Sequence, residues 1–223
     1  MTPGKRLLRL AELAGTGYQH IWDGCCDHGQ LGAALLDRHA ANTLHFVDIV
    51  PALMNELAQR LSQWYPQANW QCHCLDVAQL PLQHYSGHQL LIIAGVGGDL
   101  MVRMLNQLAS AISGLNLELL LCPVNHCQDV RTTLRELGFG LLHEELLEEN
   151  RRCYELIKVR VPPHSLALPS LVGDAMWHDQ RAGQAEVARR YMTRTQAHLQ
   201  RIQAGGKEDV SPWLDALQAI QLP

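Results

Sequence analysis

Short apolar runs alternate with amphipathic stretches along residues 3–161. Residues 3–14 carry apolar positions at Leu7, Leu8, Ala11 and Ala14 with basic ones between them, and predict an opening helix. A strand closing at Asp23 follows, then a polar glycine-bearing loop and a helix running through Ala33, Ala34, Leu35 and Leu36. Residues 42–49 predict a second strand with Asp48 near its carboxyl end. Pro51, tolerated in a first helical turn where its missing amide would be unpaired, opens a helix through Leu53, Leu57 and Leu61. A third strand, 70–75, delivers Asp76. Residues 90–94 are continuously apolar between Ser86-Gly87 and Gly95-Val96-Gly97-Gly98, as in a central parallel strand buried on both faces. Beyond them come a helix through Met101, Met104, Leu105 and Leu108, a strand at 117–122, a helix at 127–137 stopped by Gly138, and two strands at 140–147 and 153–161. Strand alternating with helix and ending in a hairpin predicts an α/β fold: a doubly wound, mostly parallel sheet of about seven strands with an antiparallel edge.

The pattern changes after Pro162-Pro163-His164-Ser165. Val187, Ala188, Tyr191, Met192, Thr195, His198, Leu199 and Ile202 form one helical stripe, Gly205-Gly206 a turn, and Ser211-Pro212-Trp213 the start of a second helix. The chain therefore divides into residues 1–161 and a C-terminal helical hairpin, 162–223. From Arg181 to Lys207 the hairpin carries Arg181, Arg189, Arg190, Arg194, Arg201 and Lys207 against the single acid Glu186. With a formal charge of −4, the chain does not attract nucleic acid by its net charge, so this local basic region has to supply the attraction.

Its 223 residues, 47% hydrophobic, suit one α/β domain with a modest appendage. No stretch approaches the roughly 20 continuous apolar residues of a membrane helix, and the basic N-terminal segment breaks at Glu12 and Gly15 before any signal-like core. Seven cysteines, an odd number in a chain large enough to need no staples, read as free thiols in a reducing cytoplasm. Cys72-His73-Cys74 lacks the second knuckle of a zinc site, and no metal is expected.

Ligands of open α/β sheets bind beyond the carboxyl ends of the strands. Four successive predicted ends are Asp23, Asp48, Asp76 and the 94–98 turn. The stretch Asp23-Gly24-Cys25-Cys26-Asp27-His28-Gly29-Gln30-Leu31-Gly32 does not supply the G-x-G-x-x-G spacing of a dinucleotide loop, and Asp23 would repel a phosphate. Acids suit a ligand presenting a cation and hydroxyls, as S-adenosylmethionine does with its amino group, sulfonium and ribose. Asp48 is placed to accept both ribose hydroxyls and Asp76 to accept from an exocyclic amine. The alternative use of Asp23, Asp48 and Asp76 is to cap turns and helix starts.

These pieces resemble the bacterial tRNA adenine-22 N1-methyltransferases, class I S-adenosylmethionine-dependent enzymes. The resemblance rests on Lys5-Arg6-Leu7, Asp23 to His28, Ile93-Ala94-Gly95-Val96-Gly97-Gly98, Pro123 with Asn125, and Glu144 to Glu149 followed by Cys153-Tyr154-Glu155. It implies a Rossmann-like methyltransferase fold, S-adenosylmethionine as cofactor, tRNA as partner and methylation at N1 of an adenine. Asp23, Gly24, Asp48, Asp76, Val77, Ala94 and Gly95 are then the expected cofactor contacts. Asp27 would stabilise the charge developing on the ring, and Asn125 would orient the base; helix or turn capping is the alternative for each. His28 is a substrate contact or holds the turn. Lys5, Arg6, Arg9, Arg189, Arg190 and Arg194 are the expected RNA contacts. Competing readings are a cofactor-binding interaction module without catalysis and a methyltransferase with another substrate.

Overall fold

The computed structural model describes residues 3–162, 165–206 and 209–222, so Pro163, His164 and Lys207 lie outside the described residues. Seven strands, β1 (Tyr18–Gly24), β2 (Ala41–Asp48), β3 (Trp70–Cys74), β4 (Gln89–Ala94), β5 (Leu117–Cys122), β6 (Gly140–Glu149) and β7 (Arg152–Val161), join in one sheet. Their order is β3-β2-β1-β4-β5-β7-β6. The first five pair in parallel, and β7 runs antiparallel to both β5 and β6. The order reverses between β1 and β4, which opens a crevice beyond their carboxyl ends. The helices are α1 (Lys5–Ala14), α2 (Gln30–Asp37), α3 (Pro51–Trp64), α4 (Gly98–Leu108), α5 (Cys127–Glu136), α6 (Gln184–Gly205) and α7 (Ser211–Gln218).

The uninterrupted apolar strands sit where two covered faces demand them. Strands β4 and β5 are adjacent and almost wholly buried. Successive side chains alternate across the sheet: Leu91, Ile93, Leu119 and Leu121 enter one core cluster with α4 and α5, while Leu90, Ile92, Leu120 and Cys122 enter the other with α1, α2 and α3. Helix α1 buries Leu10, Ala11 and Ala14 and packs Leu7 beside them, whereas Leu8 is left exposed. Positions 7, 10, 11 and 14 form one face at 3.6 residues per turn, and Leu8 lies about 100° away from it.

The first core face also carries three histidines in a row across β1, β2 and β3. His45 Nε2 lies 3.0 Å from His20 Nδ1, and His45 Nδ1 lies 2.9 Å from His73 Nε2. Trp22 stacks on the His45 ring at 3.8 Å. Burial, and then the two neighbouring imidazoles, push His45 down to about 3, so the row is held by neutral rings.

Residues 165–183, which carry no helical or strand periodicity, are packed rather than loose. Val172, Met176 and Trp177 enter a third core cluster with Leu146 of β6 and with Val187, Ala188, Tyr191 and Leu199 of α6. Of the expected α6 stripe only His198 is exposed. Beneath this cluster lies a buried ionic hub. Arg131 of α5 donates to Glu144 at 2.8 Å, to Glu155 at 2.6 Å and to the Ser170 carbonyl at 3.2 Å. Tyr191 donates to Glu155 at 2.6 Å, and the amides of Asp174 and Ala175 donate to Glu144. One guanidinium thereby ties together α5, both hairpin strands and the segment leading to α6.

Candidate active site

Asp23 closes β1 and is 3% exposed. Its Oδ2 accepts the Gly32 amide at 2.8 Å, so a strand-end carboxylate satisfies one of the open N–H groups in the first turn of α2. The capping alternative is thus realised by Asp23 across nine positions of chain, through one of its two oxygens. The glycines of this loop answer to packing. A Cβ on Gly32 would stand 2.1 Å from the Phe46 ring, one on Gly29 would stand 2.6 Å from Leu57, and one on Gly24 would stand 2.9 Å from the Ile92 carbonyl. They let α2 and β1 approach their neighbours.

Between Gly24 and Gly29 the backbone turns through left-handed conformations at Cys25 (φ 58) and Asp27 (φ 49). The Cys26 amide donates to the Val47 carbonyl at 3.0 Å and the Asp27 amide donates to Asp48 Oδ2 at 3.1 Å, which fastens the loop to β2. Asp48 Oδ1 takes the Val50 amide at 3.1 Å. Each Asp48 oxygen keeps a lone pair beyond these bonds, so capping and acceptance from hydroxyls are compatible. Asp76 caps the 3-10 turn after β3, its Oδ1 accepting from the Ala78 amide at 2.9 Å, and the Val77 side chain is buried in the core against Gly24.

A pocket of about 220 Å³ opens above the end of β1, lined by Arg6, Asp23, Asp27, His28, Ala94 and Gly95 among others. Asp27 does not cap α2. Its carboxylate is 70% exposed at the pocket mouth, with His28 Nε2 3.7 Å away. Asn125 is drawn into capping: its Oδ1 accepts the Gly98 amide at 3.0 Å where α4 begins. Asp48, Asp76, Val77 and Asn125 stand outside the small pocket, along the neighbouring strand ends.

Electrostatically the pocket is divided. Burial pushes Asp23 up to about 7; the Gly32 amide opposes that shift and the Asp48 charge adds to it. Burial likewise lifts the Cys25 thiol to about 12, with Asp48, Asp23 and Asp76 reinforcing the shift, so Cys25 is no thiolate nucleophile. The facing cation is Arg6, whose Cζ lies 4.8 Å from the Tyr154 ring centre. Its Nε and Nη1 are buried and have no hydrogen-bond partner among the described residues.

The other expected basic contacts fall into two groups. Arg9 is committed to the fold: Nε and Nη2 bond both oxygens of Glu145 at 2.8 and 2.6 Å, and Nη1 reaches Glu12 at 2.8 Å. Lys5 is exposed and donates to the Glu148 carbonyl at 3.1 Å. Arg189, Arg190 and Arg194 line a groove of about 900 Å³ between α6 and the tip of the β6–β7 hairpin, where Arg151 joins them against Glu148 and Glu186. Sequence reading omitted Arg151, whose turn position gave no periodic signal. Arg190 pairs with Glu148 at 2.7 Å and with Glu186 at 3.2 Å. Through Glu148 and Glu149 the same hairpin tip holds Lys5 and the Arg6 amide, so the strand end that borders the groove also anchors the start of α1.

All seven cysteines are free thiols. Among the described residues one group has metal-ligand geometry, Asp99, His126 and Asp129, and it is exposed at the starts of α4 and α5. Cys72 and Cys74 are not part of it.

The fold is that of known methyltransferases. The chain superposes on the Bacillus subtilis M1A22 tRNA methyltransferase TrmK with a TM-score of 0.70 and 21% identity, over 97% of this chain and 94% of that one. TrmK from M. capricolum, in complex with the natural cofactor product S-adenosyl-homocysteine, gives a TM-score of 0.73 at 13% identity, over 98% of this chain and 94% of that one. Magnesium protoporphyrin IX methyltransferase from Synechocystis with bound SAM matches less of the chain, 70% of it and 76% of its own length, with a TM-score of 0.54 at 18% identity. Comparison with curated proteins gives no match. A family model for a methyltransferase domain matches residues 4–157, from the start of α1 to within β7, and the chain belongs to that methyltransferase-domain family.

Proposed function

We propose that this protein transfers the methyl group of S-adenosylmethionine to N1 of an adenine in tRNA. The observation that carries the reading is the conjunction of a strand-end pocket holding two acids and one cation with a separate arginine-lined groove, bordered by the hairpin tip that also anchors the start of α1. Its support from relatives is that the tRNA methyltransferase structures match through the C-terminal helices as well as the sheet, whereas the porphyrin methyltransferase covers 70% of the chain. Residues 1–161 would bind the cofactor and residues 162–223 would contact RNA.

The residues present fit this cofactor. Asp23, Gly24, Ala94 and Gly95 would hold its amino-acid end, and Gly95 (φ 80) has open space around it apart from Arg6. Asp48, Asp76 and the backbone of Val77 border its nucleoside end. When bound, the cofactor supplies a methyl group on an electron-poor sulfur. Adenine N1 already carries a lone pair, so the chain need only position the base and balance the charge that develops on it. Asp27 is free for that role because Asp23, not Asp27, caps α2. Its substitution by Asn should lower turnover at least about tenfold with cofactor affinity little changed, read by single-turnover kinetics. Undiminished turnover would remove Asp27 from the chemistry. His28 borders the same mouth, and Asn125 keeps its amide nitrogen and one lone pair on Oδ1 with which to orient a base.

For the groove, replacing Arg189 and Arg194 by alanine should weaken tRNA binding and make it less salt-dependent, because fewer phosphate counterions are released. Equal affinity and an unchanged salt slope would take the groove out of the RNA path. Arg9, already paired, should contribute little to either measurement. The assignment as a whole is tested by incubating the protein with unmodified tRNA and labelled S-adenosylmethionine, then mapping the modified nucleoside. N1-methyladenosine supports it; label on another base, or none, overturns the substrate or the activity.

A further inference from the structure

We propose that His20, His45 and His73 act as one unit: a row of imidazoles that clamps β1, β2 and β3 together, shares one tautomer, holds at most one proton, and opens when a second arrives. These are the strands at whose carboxyl ends Asp23, Asp48 and Asp76 stand, so opening the row slackens the platform of the strand-end acids.

The geometry leaves the hydrogens little choice. His45 is fully buried, and both of its ring nitrogens are spent on its neighbours, Nε2 on His20 Nδ1 at 3.0 Å and Nδ1 on His73 Nε2 at 2.9 Å. A nitrogen pair at that distance holds one hydrogen: none leaves two lone pairs face to face, and two collide. A neutral imidazole carries one hydrogen in all, so the arrangement in any ring dictates the other two. If His45 donates from Nε2 to His20, its Nδ1 must accept from His73 Nε2, and His20 must keep its own hydrogen on Nε2. All three rings are then Nε2–H. The reverse choice makes all three Nδ1–H, and no mixed row keeps both bonds.

The charge follows from the same count. Hydrogen has four places in the row, the two contacts and the two outer nitrogens, His20 Nε2 and His73 Nδ1. Neutral rings fill three of them. A fourth hydrogen brings one positive charge, and sliding the shared hydrogens along their contacts moves that charge among the rings with both bonds kept. A fifth would put two hydrogens into one contact and push the strands apart there. The groups facing the rings are Trp22 of β1, stacked on His45 at 3.8 Å, and Tyr85 of the segment between β3 and β4, which stands edge-on to His20 and His45 and donates its hydroxyl to Gln71. Among the described residues no carboxylate acts on any of the three rings: burial lowers each of them, and the charges that lower His45 further are those of His73 and His20. The outer two rings are half-buried, so protons reach the row from its ends.

In the unfolded chain all three histidines take up protons as pH falls past about 6.5, whereas the folded row takes up at most one. The unfolded state then binds more protons, so the stability contributed by the row is present above that value and is lost as pH falls.

Nitrogen-15 spectra of the imidazoles test both counts. At pH 8 all three rings should show one tautomer, or one common ratio of the two; a ring of opposite tautomer would overturn the row. On titration to pH 5 the imidazolium content summed over the three rings should not exceed one while the amide signals of β1 to β3 stay native, and loss of the β3 signals as the sum passes one is the opening itself. Two fully charged rings in an unaltered sheet would overturn the proposal. His45→Phe removes the link, so His20 and His73 should then charge independently and the sum should climb towards two. A variant whose sum still stays at or below one would assign the limit to burial alone and overturn the shared count.

Discussion

Replacing Arg131 by methionine should cost about 3–5 kcal/mol of stability at pH 8, the largest effect expected from any single substitution outside the pocket. The side chain is 1% exposed and donates to Glu144 and Glu155, both buried. Methionine roughly keeps the volume but strands two carboxylates in a site closed to water. Burial by itself would push Glu144 up; the Arg131 charge and the amides of Asp174 and Ala175 outweigh it and hold Glu144 below its usual value. A depressed carboxylate contributes stability that is fully present above its unfolded pKa and is lost as pH falls through the folded one. Without Arg131 that order inverts, and a stranded Glu144 sheds its charge by taking up a proton at mildly acid pH. Urea unfolding at pH 8 and pH 5.5 should therefore show a smaller penalty at the lower pH. A penalty below about 1 kcal/mol at both would mean that the hub carries little net energy, as when well-packed apolar groups can replace a buried ion pair. Because the hub also takes the Ser170 carbonyl and the 174–175 amides, Arg131→Met should expose 165–183 to proteolysis before the rest of the chain.

Cofactor affinity should rise about tenfold between pH 5.5 and pH 7, and Asp23→Asn should abolish that rise. Burial holds Asp23 near 7, so over this interval the unliganded pocket passes from protonated to half-ionised. A ligand ammonium prefers the ionised form and has to expel the proton below that value, so binding weakens with each added unit of acidity. For the protein alone the sign is opposite. A carboxyl whose folded pKa is raised binds its proton more tightly in the folded state, so its contribution is greatest below the unfolded value and declines as pH rises to about 7. The asparagine variant keeps an oxygen for the Gly32 amide, so α2 stays capped while the charge is lost. Calorimetry with S-adenosylhomocysteine measures both quantities, and staying at or below pH 7 keeps the ligand's own amino group protonated. A pH-independent affinity in wild type, or an unchanged slope in Asp23→Asn, would separate Asp23 from the ammonium.

Strand number, their parallel order up to β5 and the antiparallel closing hairpin are all written in the chain, because buried parallel strands need continuous apolar runs and amphipathic helices must cover them. The same logic placed Asp23, Asp48, Asp76 and Gly95 at strand ends, since the residue that stops an apolar run is the one that meets solvent or ligand. What each of those residues touches was settled only by folding. Nothing in one dimension says why Gly29 and Gly32 lack side chains; Leu57 and Phe46, brought from α3 and β2, are what forbid them. Three nearly identical arginine-type positions along the chain met different fates. Arg9 found Glu145, Arg131 found two glutamates, and Arg6 found no acceptor for two of its nitrogens. Residues 165–183 gave no element to sequence reading because their order comes from Arg131 and Trp177 contacts and has no period of its own. Hydrophobic periodicity is a local property and fixes the elements; which charges pair depends on residues apart in sequence, 13 and 24 positions for the partners of Arg131 and 136 for Glu145, the partner of Arg9, and only the tertiary structure brings those together.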